Sequence, residues 1–265
     1  MAICFPPVSI VVFPGVGYPQ RLTALGWTPD LHVDGVLAGS GSAVAIVGAR
    51  AATGTGMVRA HAIARHCATR GIHVVSGGAL GIDGAAHRGA LEGGGTTTVV
   101  LGSGVDVRYP ARHAALFDQI AARGGALVSM LPLGTEPRRG TFLARNKLIA
   151  ALADVTIVIE ASLVSGSLVT ARHATRLGRV VAAWPGSAGC ERLLAEGAAI
   201  IEDERDVIAA LAGAPRMRAP RVIDPIEACV ASAIASGATT VDAIAQVTGL
   251  SVRAVVRALP LVRKS

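Results

Sequence analysis

Ser76-Gly77-Gly78-Ala79-Leu80-Gly81-Ile82-Asp83 follows a short apolar run, Ile72 to Val75, and precedes an amphipathic run, Gly84 to Glu92. Strand, glycine turn and helix in that order gather backbone N–H groups and a helix N-terminus at one spot, and such a spot binds anions, usually phosphate. Glycine is needed there because a Cβ would block close approach and forbid positive φ. The stretch predicts a phosphate-bearing ligand. It leaves open whether that ligand is a nucleotide, a cofactor or a nucleic acid.

Other segments could serve the same chemistry. Gly48-Ala49-Arg50 ends the apolar run Val44 to Val47, and Gly102-Ser103-Gly104 ends Thr97 to Leu101. Ser165-Gly166-Ser167, shortly after Glu160, stands at the start of a helical run. Arg145-Asn146-Lys147 lies near the middle of another, 141–153. Arg supplies a rigid fork for phosphate and Lys a point charge. On their own, Arg145 and Lys147 read as a solvated helix face; the glycine loops are what imply an anion nearby.

Enzymatic signatures are weak. A dinucleotide fold wants G-x-G-x-x-G after the first strand and an acid ending the second. Here Gly48, Gly54 and Gly56 are misspaced, and the second strand ends in Ser76. The P-loop pattern G-x-x-x-x-G-K-[ST] is absent. Asp83 and His87, four apart on one helix face, could form an acid–base pair, against the plainer reading of a helix-capping Asp83 and a structural His87. No nucleophile stands out, and no catalytic residue is assigned.

The elements that position these segments alternate. Strands are read at 44–47, 72–75, 97–101, 126–129, 155–159 and 180–183, with helices at 54–69, 84–92, 111–122, 141–153 and 166–177 between them. A short helix–strand unit follows at 190–201. The strands are continuous apolar runs, as expected when both faces of a parallel sheet are covered. The pattern predicts an α/β fold with an extended Rossmann-like, mostly parallel, doubly wound sheet. Ligands of such sheets bind at the carboxyl ends of the strands, where all the loops above fall.

A domain over 1–212 is expected, then a linker over 213–222 containing Pro215-Arg216-Met217-Arg218-Ala219-Pro220. A small all-α module over 223–265 follows, with helices at 225–236, 240–247 and 251–259. Thr248-Gly249-Leu250-Ser251 between the last two gives a helix-turn-helix pattern, with Ser251 as N-cap. Arg253 and Arg257 share a face of the last helix, and Arg263 and Lys264 follow. This is compatible with DNA contact and equally with a plain three-helix packing module.

Composition narrows the ligand. The 265 residues are 51% hydrophobic but only 3% aromatic, so the core must be aliphatic. Net charge is +7, from 25 basic and 18 acidic residues, which favours a polyanionic partner. All basic residues but Lys147 and Lys264 are Arg, a bias that genome composition alone can produce. Cys4, Cys67, Cys190 and Cys229 are scattered with no C-x-x-C pair, so zinc is not expected and a reducing compartment is. No apolar run is long enough to span a bilayer and no secretory leader is evident, which places the chain in the cytoplasm.

About two thirds of the chain, from Tyr18 to Ala198, resembles DNA-processing protein A, the DprA/Smf family. The resemblance is carried by Tyr18-Pro19 with Leu22, Val47-Gly48-Ala49-Arg50, Ser76-Gly77-Gly78 through Gly81-Ile82-Asp83, and Ala86-His87-Arg88-Gly89-Ala90-Leu91. It continues through Val100-Leu101-Gly102, Gly104-Val105, Tyr109-Pro110, Phe142, and Arg145-Asn146-Lys147-Leu148-Ile149-Ala150. Glu160-Ala161, Ser165 through Ala171, Gly178-Arg179, Pro185-Gly186, and Leu193-Leu194 before Gly197-Ala198 complete it.

The resemblance implies an extended Rossmann-like domain that binds single-stranded DNA without chemistry on it. It further implies a homodimer that loads the RecA recombinase onto incoming strands during natural transformation. No cofactor, metal or membrane is implied. The implied phosphate site comprises Arg50, Ser76, Gly77, Gly78, Gly81, Arg145, Asn146, Lys147, Ser165, Gly166, Ser167 and Thr170, with Arg253 and Arg257 as secondary DNA contacts. The C-terminal helices resemble the winged-helix module of many members, here without a full wing. The small N-terminal helical domain of some members is not expected.

The chain departs from the family pattern at Leu80, where Arg is common, at Met130, where Glu is common, and at Glu191, where Asn is common. Glu191 is expected to bring negative charge to the pocket rim. If Arg50, Arg145 and Lys147 each neutralise a phosphate, the log–log salt slope is roughly −2, from about −0.7 per contact. Phe142 is the only aromatic read as close to the basic motif, so little base stacking is expected. The runner-up is a Rossmann-like nucleotide-derivative hydrolase or nucleotide-binding protein, whose P-G-G-x-G-T-x-x-E motif residues 165–170 do not match. A duplex-binding transcription factor led by the C-terminal helices is a third reading.

Overall fold

The continuous apolar runs become the centre of a nine-stranded sheet in a computed structural model, which describes residues 9–11, 17–218 and 224–262. Cys4, Ala219, Pro220, Arg263 and Lys264 lie outside the described residues. The chain divides into two compact units, Met1–Arg218 and Ala219–Ser265.

In the larger unit the strands are β1 (Ser9–Val11), β2 (Leu31–Gly35), β3 (Ala43–Val47), β4 (His73–Ser76), β5 (Thr97–Val100), β6 (Ala126–Ser129), β7 (Val155–Val158), β8 (Val180–Ala183) and β9 (Ala199–Ile200). Their order is β1-β2-β6-β5-β4-β3-β7-β8-β9. From β6 to β9 every pair is parallel; β2 joins β6, and β1 joins β2, antiparallel. The central stretch β5-β4-β3-β7-β8-β9 follows the doubly wound dinucleotide-fold order, whose direction of winding reverses between β3 and β7.

The helices are α1 (Gln20–Thr23), α2 (Gly54–Thr69), α3 (Ile82–Glu92), α4 (Ala114–Ala122), α5 (Arg139–Ala151), α6 (Gly166–Arg176), α7 (Ala188–Ala195) and α8 (Glu204–Leu211). Side chains alternate through β3: Val44 and Ile46 pack with Ile63, Ala64 and Cys67 of α2 and Ile82 and Ala86 of α3. Ala45 and Val47 pack on the other face with Leu148 and Ile149 of α5 and Leu168 of α6. Both faces are dry, which is why the strands lack polar alternation.

Several boundaries differ from expectation. The 111–122 helix divides into a 3-10 turn, Ala111–His113, and α4. Helix α5 begins at Arg139 because the Thr141 hydroxyl accepts from the Arg138 N–H at 3.0 Å, closing the first turn early. Helix α3 is capped by Gly81 rather than Asp83. The φ of Gly81 is +79°, and a Cβ there would meet the carbonyls of Ala49 and Arg50. Strands β1 and β2 and helix α8 lie outside the elements expected from the sequence. Part of the expected linker is fixed to the sheet edge: Ile200 donates to Arg216 at 2.7 Å, and Met217 bridges Ala199.

The smaller unit holds α9 (Pro225–Ala235), α10 (Val241–Thr248) and α11 (Val252–Val262) around Val230, Ala233, Ile244, Val255 and Ala258. Gly249, at φ +69°, makes the turn between α10 and α11. Arg253 and Arg257 are exposed on α11.

Candidate nucleic-acid interface

The winding reversal leaves a cleft of about 790 Å³ outside the carboxyl ends of β3 and β7. Gly48 and Arg50 enter it from the end of β3, and Asp83 from α3. Arg139, Phe142, Arg145 and Asn146 line it from α5, and Ser165 to Thr170 from the start of α6. Arg172 of α6, Arg192 of α7 and Glu196 just after it also line the cleft.

The candidate residues divide into a frame and an open wall. Ser76 is fully buried, and its hydroxyl donates to the Ile46 carbonyl at 2.6 Å. Asp83 is buried and accepts from the Ala79 N–H at 3.2 Å. Burial pushes its pKa up, while Arg145 and backbone donors pull the other way. Ile82 donates to the Ala49 carbonyl at 3.2 Å. The glycine loop therefore spends donors on the protein that a phosphate nest would leave free.

Arg145 belongs to this frame. It is 6% exposed, and its guanidinium donates to the carbonyls of Gly77 and Val100 and, at 3.2 Å, to Asn146 Oδ1. A Cβ on Gly77 would occupy the place of that guanidinium. Burial lowers its pKa to about 10, still far above neutrality. Gly78, at φ +73°, leaves its carbonyl to accept from His113 Nδ1 at 2.9 Å. Asn146 donates to the Gly166 carbonyl at 3.3 Å, tying α5 to the start of α6.

Lys147 is not brought to the cleft. Two residues after Arg145 it projects from another face of α5, and its ammonium lies 3.9 Å from the Trp27 ring centroid. Glu191 is likewise elsewhere. It accepts from the Gly186 N–H at 2.8 Å and pairs with Arg218 at 2.9 Å, which hold its carboxyl below the usual range.

The open wall is cationic. Arg50, Arg139 and Arg172 are exposed and have no carboxylate partner among the described residues. Arg50 lies over the Phe142 ring at 5.0 Å. Ser165 caps α6, its hydroxyl accepting from the Ser167 N–H at 3.3 Å and meeting the Ser167 hydroxyl at 2.7 Å. Gly166 is exposed, with open space where a Cβ would stand. The α6 N-terminus, although Ser165 takes the Ser167 N–H, opens onto the cleft at Gly166, which the start of α3 does not.

The sequence reading missed Arg139, Arg172 and Arg192. Arg139 stands three residues before Phe142, one turn away on the same face; starting the helix at 141 hid that relation. It also missed the placement of Tyr109, 44% exposed, whose ring lies 5.7 Å from that of Phe142. These two rings with Leu80, Pro110 and Arg50 enclose a smaller niche of about 100 Å³ beside the cleft.

The considered acid–base pair does not form. His87 is buried, and its Nδ1 meets the Thr97 hydroxyl at 2.8 Å; that hydroxyl donates onward to the Val74 carbonyl. Burial lowers the His87 pKa to about 3. Cys67 is buried, with its thiol raised to about 12 by burial, and Cys190 is buried too, whereas Cys229 is exposed. Among the described residues there is no group of metal-ligating side chains and no helix long and apolar enough to cross a membrane.

A family model described as DNA recombination-mediator protein A matches residues 9–212. The putative DNA processing protein DprA of Mycobacterium tuberculosis is 45% identical over 269 residues, covering 93% of this chain and 67% of its own length. The chain thus spans about two thirds of that curated relative. The structure of DprA from Streptococcus pneumoniae is similar at 35% identity and a TM-score of 0.69, over 77% of this chain and 75% of its own. That of DNA processing protein A from Helicobacter pylori, reported for its single-stranded DNA binding mode, is similar at 31% identity and a TM-score of 0.70. It covers 78% of this chain and 96% of its own.

Proposed function

Because the chain belongs to the DNA recombination-mediator protein A family, we propose that it binds single-stranded DNA in this cleft, through the phosphate backbone and without chemistry on it. The observation that carries the reading is the convergence of Arg50, Arg139 and Arg172, none held by a carboxylate among the described residues, with the α6 N-terminus on one cleft. Cations and helix N-termini act on phosphate whatever the base, so sequence preference is slight. Tyr109, exposed beside Phe142, adds a ring on which a base can stack.

In this reading Ser76, Gly77, Gly78, Gly81, Arg145 and Asn146 hold the cleft in shape, Ser165 and Gly166 meet phosphate, and the buried Ser167 and Thr170 back them. The protein works in the cytoplasm as a homodimer, passing its strand to the RecA recombinase. A band shift with single- and double-stranded oligonucleotides tests the binding step. Preference for the single strand supports it, and preference for duplex favours the α11 face with Arg253 and Arg257. Release of ribose phosphate from a nucleoside monophosphate would instead favour a hydrolase.

A further inference from the structure

A second groove, about 460 Å³, continues from the first. The two share Arg172, Leu193 and Glu196. Along α6 the cleft's Val169 and Arg172 are followed one turn later by Arg176, which lines the second groove. Both arginines are exposed and have no carboxylate partner among the described residues. The Glu196 carboxylate is matched by Arg192 at 2.7 Å. The density of positive charge is felt by His173, whose pKa is lowered by burial and then by Arg176, Lys147 and Arg172. At the groove floor β9 pairs with Ala182 and Ala183 of β8 and not with Val180 and Val181, which line the groove.

We propose that this groove is a second binding segment for the same single strand, which runs from the α6 N-terminus along the Arg172–Arg176 stripe to the edge of β8. Helix α6, of 11 residues, is about 16 Å long at about 1.5 Å per residue. A backbone following it places successive phosphates beside first one arginine and then the other. Met217, exposed at the groove's edge, offers apolar surface to the bases beside the partly buried valines. This extension rests on the single-strand reading of the main cleft.

The test compares the intact chain with its Arg176→Gln variant in salt titrations on a short oligomer of about four nucleotides and a long one of about sixteen, the ends of the usual single-strand range. The variant should bind the short oligomer as the parent does. On the long one its log–log salt slope should be shallower by about 0.7, the loss of one phosphate contact. An unchanged slope on the long oligomer, or an equal loss on both, overturns the extension alone. Failure of the parent chain to bind either oligomer overturns the single-strand reading and the extension with it.

Discussion

The Arg50 guanidinium lies 5.0 Å from the centre of the Phe142 ring, at the mouth of the cleft where β3 ends and α5 passes. The ring also faces Arg145 at 5.7 Å and Tyr109 at 5.7 Å. Phe142 thus contacts both a buried arginine that shapes the glycine loop and an exposed one available to a ligand. In the proposed reading the phosphate-binding charge belongs to Arg50 and its exposed neighbours.

Replacing Arg50 or Arg139 by Ala should weaken single-strand binding and flatten the salt slope by about 0.7 each. Oligonucleotide titrations over a range of salt measure both effects. Loss of affinity with an unchanged slope would mean that these side chains act without touching phosphate.

Tyr109→Ala should act differently. Stacking carries no net charge, so affinity should fall by about 1–3 kcal/mol with little change in slope. Full affinity in the variant would leave Tyr109 with its contact to Phe142 alone.

Arg145→Met should show in stability before it shows in binding. It strips the Gly77 and Val100 carbonyls of their donor, at about 1–3 kcal/mol for each group left unpaired. Urea denaturation measures the loss; a variant as stable as the parent would contradict the frame role.

The position of Arg145 shows why the frame and the wall could not be separated in sequence. The motif Arg145-Asn146-Lys147 reads as one basic cluster, yet helical geometry sends its members to the glycine loop, to Gly166 and to Trp27. The parallel core was legible because both-face burial writes itself as apolar runs such as Ala43–Val47. Strand β2, Leu31–Gly35, was not: a short antiparallel strand holding His32 and Asp34 lacks such a run. The cleft wall at Ser165–Ser167 was legible from its cap pattern. Arg139, Arg172 and Arg192 were not, because nothing local distinguishes a cleft arginine from a surface one in a chain so rich in them.

His87 and His73 give the fold an acid limit. Burial lowers their pKa values from 6.5 to about 3 and about 4. Between those values and 6.5 the unfolded state binds more protons than the folded one, so stability falls as pH drops below about 6.5 toward 3. Thermal denaturation from neutral pH downward should show this decline, and His87→Gln should make it shallower. A parent and variant with parallel pH profiles would contradict it.

The central division, exposed arginines on phosphate and buried or turned-away cations in the scaffold, meets its most direct test in Lys147→Ala beside an Arg50→Ala, Arg139→Ala double variant. The measurement is the salt dependence of single-strand binding. The double variant should flatten the slope by about 1.4, while Lys147→Ala should keep the parent's slope and affinity. A flattened slope for Lys147→Ala with the parent's slope in the double variant would contradict the account.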